Sequence, residues 1–273
     1  MRIGFFGDVV GRTGREALLS ALPGLIEEFA LDFTIVNGEN AAHGFGITPE
    51  IAEALFAAGA DCVTTGNHAW DQRIILGYVA GEARLLRPAN YPHGTPGAGV
   101  GVYEARKGGG RVLVVNLMGR LFMDALDDPF QAIDRELANH RLGLGSGGDL
   151  AAVLIDMHAE ASSEKMAMGH YLDGRVSAVI GTHTHIPTAD AQLLPGGTAY
   201  QTDAGMCGDY DSVIGMQKEV AVARFHKRGP GERMSPAEGP ASLCGSIIDV
   251  DPATGLAQQI RPFRRGGRLA PTH

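Results

Sequence analysis

An α/β fold with mixed sheets is expected for this chain, on three observations. Short apolar runs alternate with helical patterns over the first two-thirds of its 273 residues, the last third reads as hairpins, and neither a linker nor an internal repeat divides it. One domain over residues 1–273 follows, with 264–273 as a frayed tail. The runs RIGFF at 2–6, FTIVN at 33–37, CVTTG at 62–66, AAVLID at 151–156 and SAVIG at 177–181 have the length and β-branched content of buried strands. Helices are expected between them. The segment 48–59 has Thr48 as N-cap, Pro49 at the first helical position and Gly59 as its stop. Asp128 and Pro129 repeat the device for 128–140, and 161–174 offers serine caps and ends at Gly174. The segment 99–119 reads as a hairpin turning at Gly108–Gly110. After Gly181 the chain shows little helix: 218–227 (KEVAVARFHK), 245–251 and 256–263 read as strands, with a turn from Asp251 to Gly255. The glycine-rich stretches 142–149 and 227–240 read as loops or a flap.

Composition narrows the function classes. With 44% hydrophobic and 20% charged residues the chain is an ordinary folded protein and not a disordered one. Its net charge of −8 opposes an extended nucleic-acid groove, although a small phosphate ligand is allowed where a metal reverses the local sign. Three scattered cysteines (Cys62, Cys207, Cys244) suit neither a disulfide framework nor a thiolate metal site, so a reducing cytoplasm is expected. No signal peptide or membrane span is read: the first apolar run meets Asp8, and no later run is long enough. The exposed edges of the late hairpins would permit self-association.

The chemistry gathers at strand ends, where open α/β sheets place their ligand sites. Asp8 ends the first run, Glu39 and Asn40 the second, Asn67 and His68 the third, and His158 the fourth. His183 and His185 end the fifth in GTHTHIPTAD (181–190); on a strand, residues two apart face one side and could present two imidazoles to one point. Each residue alone has an ordinary explanation as a cap, turn former or core histidine. Together they offer two carboxylates, two amide oxygens and three histidines without a thiolate, a set suited to manganese, iron or zinc. Seven ligands exceed the needs of one ion but suffice for two that share a bridging carboxylate, the arrangement of in-line phosphoryl displacement. His68 is then left over, free to act as a general acid.

The ordered motifs GD, GEN, GNH, a lone His and GTHTH resemble the calcineurin-like metallophosphoesterases. The stretches GDVVGRTGR, NGENAAHGFGIT, TTGNHAWD, RPANYP, NLMGR, DMHAEASSEK and TDAGMCGDYDSVIGM are closer still to their bacterial YmdB-like branch of 2′,3′-cyclic nucleotide phosphodiesterases, with likeness reaching to about Pro262. The resemblance implies a four-layer α/β/β/α sandwich of two mixed sheets flanked by helices, and two metal ions, iron or manganese ahead of zinc. Asp8, Glu39, Asn40 and His185 would hold one, and Glu39, Asn67, His158 and His183 the other. Two departures from the broad superfamily match the branch: Val10 replaces the histidine of the commoner first motif, with Asn40 as substitute ligand, and Glu39 replaces a bridging aspartate. The implied reaction opens a 2′,3′-cyclic nucleotide to the 3′-monophosphate, with an activated water attacking phosphorus and His68 protonating the leaving ribose oxygen. Asp71 is read either as the carboxylate that holds the His68 ring or as an N-cap for a helix beginning near Gln72. A broad phosphomonoesterase or nucleotidase, and a metal-binding regulatory protein acting through partners, are the alternatives. His43, which could touch substrate phosphate, is set aside as a neighbouring loop residue; Glu160 and Lys165 could orient His158 or a phosphate, but a cap and a solvated helix face explain them equally well; and the 208–216 loop is expected beside the site without an assigned role. The arginines of 261–268 read as a solvated tail in preference to an RNA contact.

Overall fold

In this computed structural model residues 1–226 and 232–272 are described. The first half of the chain forms β1 (Arg2–Phe6), β2 (Asp8–Val9), α1 (Gly11–Glu28), β3 (Phe33–Asn37), α2 (Pro49–Ala57), β4 (Cys62–Thr64), α3 (Ile75–Val79), β5 (Leu85–Leu86), β6 (Val100–Glu104), β7 (Arg111–Met118) and α4 (Pro129–Leu137). The second half forms β8 (Ala152–His158), α5 (Ser162–Tyr171), β9 (Ala178–Thr182), β10 (Gln192–Leu193), β11 (Ala199–Gln201), β12 (Met206–Asp209), α6 (Lys218–Phe225), β13 (Ala241–Val250) and β14 (Ala257–Arg265). One sheet runs β2-β12-β13-β1-β3-β4-β5, with β14 also paired to β13, and the other runs β10-β11-β9-β8-β7-β6. Both are mixed. β1, β3, β4 and β5 are parallel while β13 opposes β1, and β7, β8, β9 and β11 are parallel while β6 and β10 run the other way.

Alternation along each strand makes the layers. Ile3, Phe5, Phe33 and Ile35 meet Val112, Val114, Leu154 and Ile180 between the two sheets. Phe6, Val36 and Val63 turn outward onto Leu18 and Leu22 of α1 and Leu55 of α2. On the far side Leu113, Val115, Ile155 and Val179 pack against Ile133 of α4 and Met168 of α5. The four-layer α/β/β/α sandwich is therefore what forms. The hairpin at 99–119 also forms, pairing Val100 with Val115 and Glu104 with Arg111.

The helix signals hold in two places and miss in three. The Thr48 hydroxyl accepts from the Ile51 N–H, and Asp128 accepts from the Phe130 and Gln131 N–H groups. α5 instead starts after Ala161 with no side-chain cap, its serines lying inside the first turn. The pattern singled out no helix over 11–28, because Pro23 and Gly24 lie inside α1, yet Leu18, Leu22 and Leu25 give it a buried face. The strand expected at 218–227 is the helix α6, with Lys227 outside the described residues. Its Val and Ala alternate, but only Ala221 of α6 is buried and Phe225 is 83% exposed. A segment with no sheet edge to join must satisfy its backbone internally, and a helix does so. Glu219 in the first turn and Arg224 in the last suit its dipole.

The tail also differs from expectation. β14 runs to Arg265, and Thr272 folds back so that its hydroxyl accepts from the Arg264 N–H while its own N–H donates to the Arg264 carbonyl. Arg261 pairs with Asp249, Arg265 with Glu28 and Arg268 with Asp211, so acids of this chain occupy the basic tail. Of the loop expected at 227–240, residues 227–231 lie outside the described residues. Among the described residues no helix is long and apolar enough to cross a membrane.

Candidate metal centre

All eight sequence-predicted residues lie at or just beyond the carboxyl ends of β1, β3, β4, β8 and β9. Parallel strands of both sheets end on the same rim, so residues far apart in sequence become neighbours there. Single ligand atoms of Asp8, Glu39 and His158 lie within 4.8 Å of one another. Around them, His158 Nε2 is 2.9 Å from Glu39 Oε2, 3.0 Å from Asn67 Oδ1 and 3.1 Å from His183 Nδ1. His185 Nε2 is 3.1 Å from the Asn40 amide nitrogen and 3.7 Å from Asp8 Oδ1.

The two histidines of GTHTH arrive differently from the sequence expectation. β9 ends at Thr182, and His183 and His185 take φ of 95° and 67°, in the left-handed region where a non-glycine residue is strained. They therefore serve different neighbours, His183 beside His158 and His185 beside Asp8 and Asn40. Buried bonds hold this bend. Lys165 Nζ donates to the Thr182 carbonyl at 2.7 Å and pairs with Asp203 at 2.8 Å, both side chains fully buried. The same Asp203 oxygen accepts from the Thr184 N–H and hydroxyl. Lys165 thus belongs to the support of the site and not to a solvated helix face.

The second ring nitrogen of each histidine has an acceptor that fixes its tautomer. Thr182 gives its hydroxyl proton to the Asp156 carboxylate at 2.6 Å, so its oxygen accepts from His158 Nδ1–H at 2.9 Å. Glu160 accepts from His183 Nε2–H at 3.1 Å, and the Ile214 carbonyl from His185 Nδ1–H at 2.7 Å. The 208–216 loop, without a role on sequence grounds, thereby orients His185, and the Tyr210 hydroxyl donates to the His185 carbonyl. Three nitrogens are left without a proton: His158 Nε2 faces Glu39, His185 Nε2 faces Asp8 and the Asn40 amide, and His183 Nδ1 faces His158 Nε2. Burial lowers all three rings away from the charged form, His183 to about 2 with the neighbouring His158 ring also contributing. The His158–Glu39 approach at 2.9 Å is therefore not an imidazolium–carboxylate ion pair. Asp8 Oδ1 and Glu39 Oε2 have no hydrogen-bond partner although both are buried. Buried acceptors with no donor among them are the counterpart of a cation.

Burial and neighbouring acids raise the Asp8 carboxyl well above its ordinary range, and burial raises Glu39 to about 7. A carboxyl that holds its proton more tightly when folded contributes stability below its unfolded value, and that contribution is lost as pH rises through the folded value. In metal-free protein the Glu39 contribution is lost between pH 4.5 and about 7, while the lowered rings of His158, His183 and His185 act in the opposite sense up to 6.5, so the Glu39 slope is read as the difference between the parent and Glu39→Gln. Manganese should cancel most of that slope and raise the melting temperature most at pH 7. Thermal melts in chelator and in Mn²⁺ check this; parallel slopes in the two would refute it.

His68 stands beside the cluster. Its backbone N–H donates to Glu39 Oε1 at 2.9 Å, while its ring Nδ1 lies 2.9 Å from Asp71 Oδ2 and the ring packs T-shaped with Phe45. Asp71 holds the ring and caps no helix, since α3 begins only at Ile75. Gly66 was missed on sequence grounds: a Cβ there would lie 1.7 Å from Glu39 Oε2 and 2.3 Å from His158 Nε2. The only available signal was a glycine directly before Asn67.

Known proteins resemble the chain along almost its whole length. The sequence model described as "YmdB-like protein" matches residues 5–263. The chain is 46% identical over 260 residues, 95% of each protein, to the 2′,3′-cyclic-nucleotide 2′-phosphodiesterase of Bacillus subtilis (strain 168). A crystal structure of a hypothetical protein from Thermus thermophilus superposes with a TM-score of 0.89 at 44% identity, covering 98% of this chain and 100% of that one. A phosphatase structure from Mycoplasma pneumoniae gives 0.86 at 33% identity, covering 97% and 93%.

Proposed function

This chain belongs to the YmdB-like family, and from that premise we propose that it is a metal-dependent phosphodiesterase opening 2′,3′-cyclic nucleotides to 3′-monophosphates at a two-cation centre. The observation that carries the reading is the gathering, on one rim, of three ring nitrogens whose partner nitrogens hold the proton with two partnerless buried carboxylate oxygens. Asp8, Glu39, Asn40 and His185 would hold one cation, and Glu39, Asn67, His158 and His183 the other. Oxygen and imidazole donors without thiolate favour iron or manganese, with zinc the third candidate. Cations so held supply a water ionised at neutral pH and neutralise the phosphate.

The chain's own residues do the rest. Thr182, Glu160 and the Ile214 carbonyl aim the three imidazoles, and Asp156 holds Thr182. Lys165 and Asp203 keep the His183–His185 bend in register. Asp71 accepts from His68 Nδ1–H, so a His68 imidazolium held there would present Nε2–H as donor to the departing ribose oxygen. An alkoxide leaves poorly without that proton and an aryl oxide does not need it. His68→Ala is therefore expected to lose roughly 10²–10⁴-fold on 2′,3′-cyclic AMP and far less on bis(p-nitrophenyl) phosphate. Equal losses on the two substrates would move His68 from proton transfer to binding.

The whole reading is tested by elemental analysis of the purified protein alongside turnover of 2′,3′-cyclic AMP, 3′-AMP and the aryl diester. Two metals per chain and conversion that stops at 3′-AMP are expected. Release of inorganic phosphate from 3′-AMP at a comparable rate would make it a phosphomonoesterase. Bound metal without any turnover would favour a regulatory protein.

A further inference from the structure

A cleft of about 1200 Å³ opens beside His68. Phe45 and Trp70 line it, together with Asp71, which holds the His68 ring. Its other contributors include five arginines, Arg12, Arg15, Arg73, Arg224 and Arg233, against two carboxylates, Asp71 and Glu238. That is an unusual concentration of positive charge in a chain whose net charge is −8. Several of these guanidinium groups are under-used. Arg73 is exposed, and its guanidinium makes no hydrogen bond or ion pair among the described residues. Arg12 meets Glu238 at 3.3 Å with both side chains more than half exposed, and Arg15 engages the Ala41 carbonyl through one nitrogen.

We infer that the substrate is the 2′,3′-cyclic phosphate end of an oligoribonucleotide, whose upstream phosphodiesters lie along this arginine-lined cleft. The inference rests on the phosphodiesterase reading above and gives it a substrate class. If His68 protonates the departing ribose oxygen, the ribose lies on the His68 side of phosphorus. The 5′ carbon of that ribose then points away from the metal cluster, toward the cleft that starts at Phe45, Trp70 and Asp71. In a free nucleoside 2′,3′-cyclic phosphate the 5′ substituent is an uncharged hydroxyl and gives the arginines no anion. In an oligonucleotide it is a phosphodiester, which guanidinium groups bind with charge-assisted hydrogen bonds. Phe45 and Trp70 add the aromatic surfaces on which unpaired bases stack. The negative remainder of the protein repels a polyanion elsewhere and leaves this cleft as its approach.

Two arms test the proposal on the full-length, manganese-loaded protein. In the first, kcat/KM is compared for adenosine 2′,3′-cyclic phosphate and for the dinucleotide ApA ending in a 2′,3′-cyclic phosphate. One charge-assisted contact should favour the dinucleotide by about tenfold, chiefly through KM. Arg12→Ala and Arg73→Ala should each cost the dinucleotide several times more than the mononucleotide. In the second arm, fluorescence anisotropy follows a labelled tetraribonucleotide ending in a 3′-phosphate. Binding should weaken with salt, with the log–log slope shrinking by about 0.7 for each arginine removed. Both side chains are exposed, so the variants are expected to fold, and circular dichroism verifies it. Equal kcat/KM for the two substrates, or labelled RNA bound as tightly by the double variant, would overturn the proposal. Should neither cyclic phosphate be hydrolysed, the phosphodiesterase reading fails, and the binding arm still decides the cleft: arginine-dependent binding supports it and none overturns it.

Discussion

Replacing Gly66 with alanine is expected to lower phosphodiester turnover by roughly 10²-fold or more, with metal content falling below that of the unmodified protein. The added methyl would stand 1.7 Å from Glu39 Oε2 and 2.3 Å from His158 Nε2, where no carbon atom fits. Neither side chain can easily retreat. Glu39 is anchored through Oε1 by the His68 N–H, His158 through Nδ1 by Thr182, and both are fully buried. The methyl therefore displaces the Glu39 carboxylate and the His158 imidazole together, and a shift near 1 Å in groups proposed to hold the cations is enough for a loss of this size. Gly66 does not occupy the left-handed region, so alanine strains no backbone there and the effect is one of space. Gly24→Ala is the control: nothing lies within 4 Å of a Cβ at that position inside α1, and the change should be neutral or stabilising by ~0.5–1 kcal/mol. Elemental analysis, steady-state rates and melts in chelator read the result. A Gly66→Ala protein with full metal content and normal turnover would show that the glycine is not the cradle of the centre.

Lys165→Met is expected to carry the largest stability loss. Lys165 and Asp203 form an ion pair with both side chains wholly buried, and removing one partner leaves an uncompensated charge, at about 3–5 kcal/mol. For a chain of this size that is on the order of 10 °C in melting temperature. Activity should fall further than folding accounts for, because Lys165 also holds the Thr182 carbonyl just before the strained His183–His185 bend. Adding Asp203→Asn should restore much of the stability by removing the orphaned charge. The recovery is partial, because Oδ2 now accepts from the Thr184 N–H and Oδ1 from the Gly205 N–H, and the single oxygen of an amide can keep only one of the two. Turnover should stay low in the double variant. A single variant melting within about 2 °C of the parent would show that the pair has no such structural role.

Legibility differed between the proposed ligands and their supports for a physical reason. A metal needs particular atoms, so Asp8, Glu39, Asn67, His158 and His185 advertise themselves by type and by their place after apolar runs. The supporting groups need only be complementary to something already there. Asp156 bonds Thr182, Thr64 and Asn37, three residues drawn from strands of both sheets, and nothing in its own neighbourhood of sequence marks it. Lys165 lies in a helix that reads as partly solvated and finds Asp203 only after 38 residues of chain have folded over it. The tail arginines read as free charge, yet Arg265 pairs with Glu28 across 237 residues. The α6 segment misled through composition: its alternation of Val and Ala suits a strand, and the lack of an edge to receive it outweighed that preference.

The amino-acid sequence alone determined the layered α/β character, the order of strand-end donors and the kind of ion they suit, because period-two burial and ligand chemistry are written in residue types. The tertiary structure decided which tautomers the histidines adopt, how the His183–His185 bend is held, and that Arg12, Arg73 and Arg224 share one cleft. Those properties depend on distances between residues separated by tens to hundreds of positions. Such distances exist only once both sheets have closed on their common core.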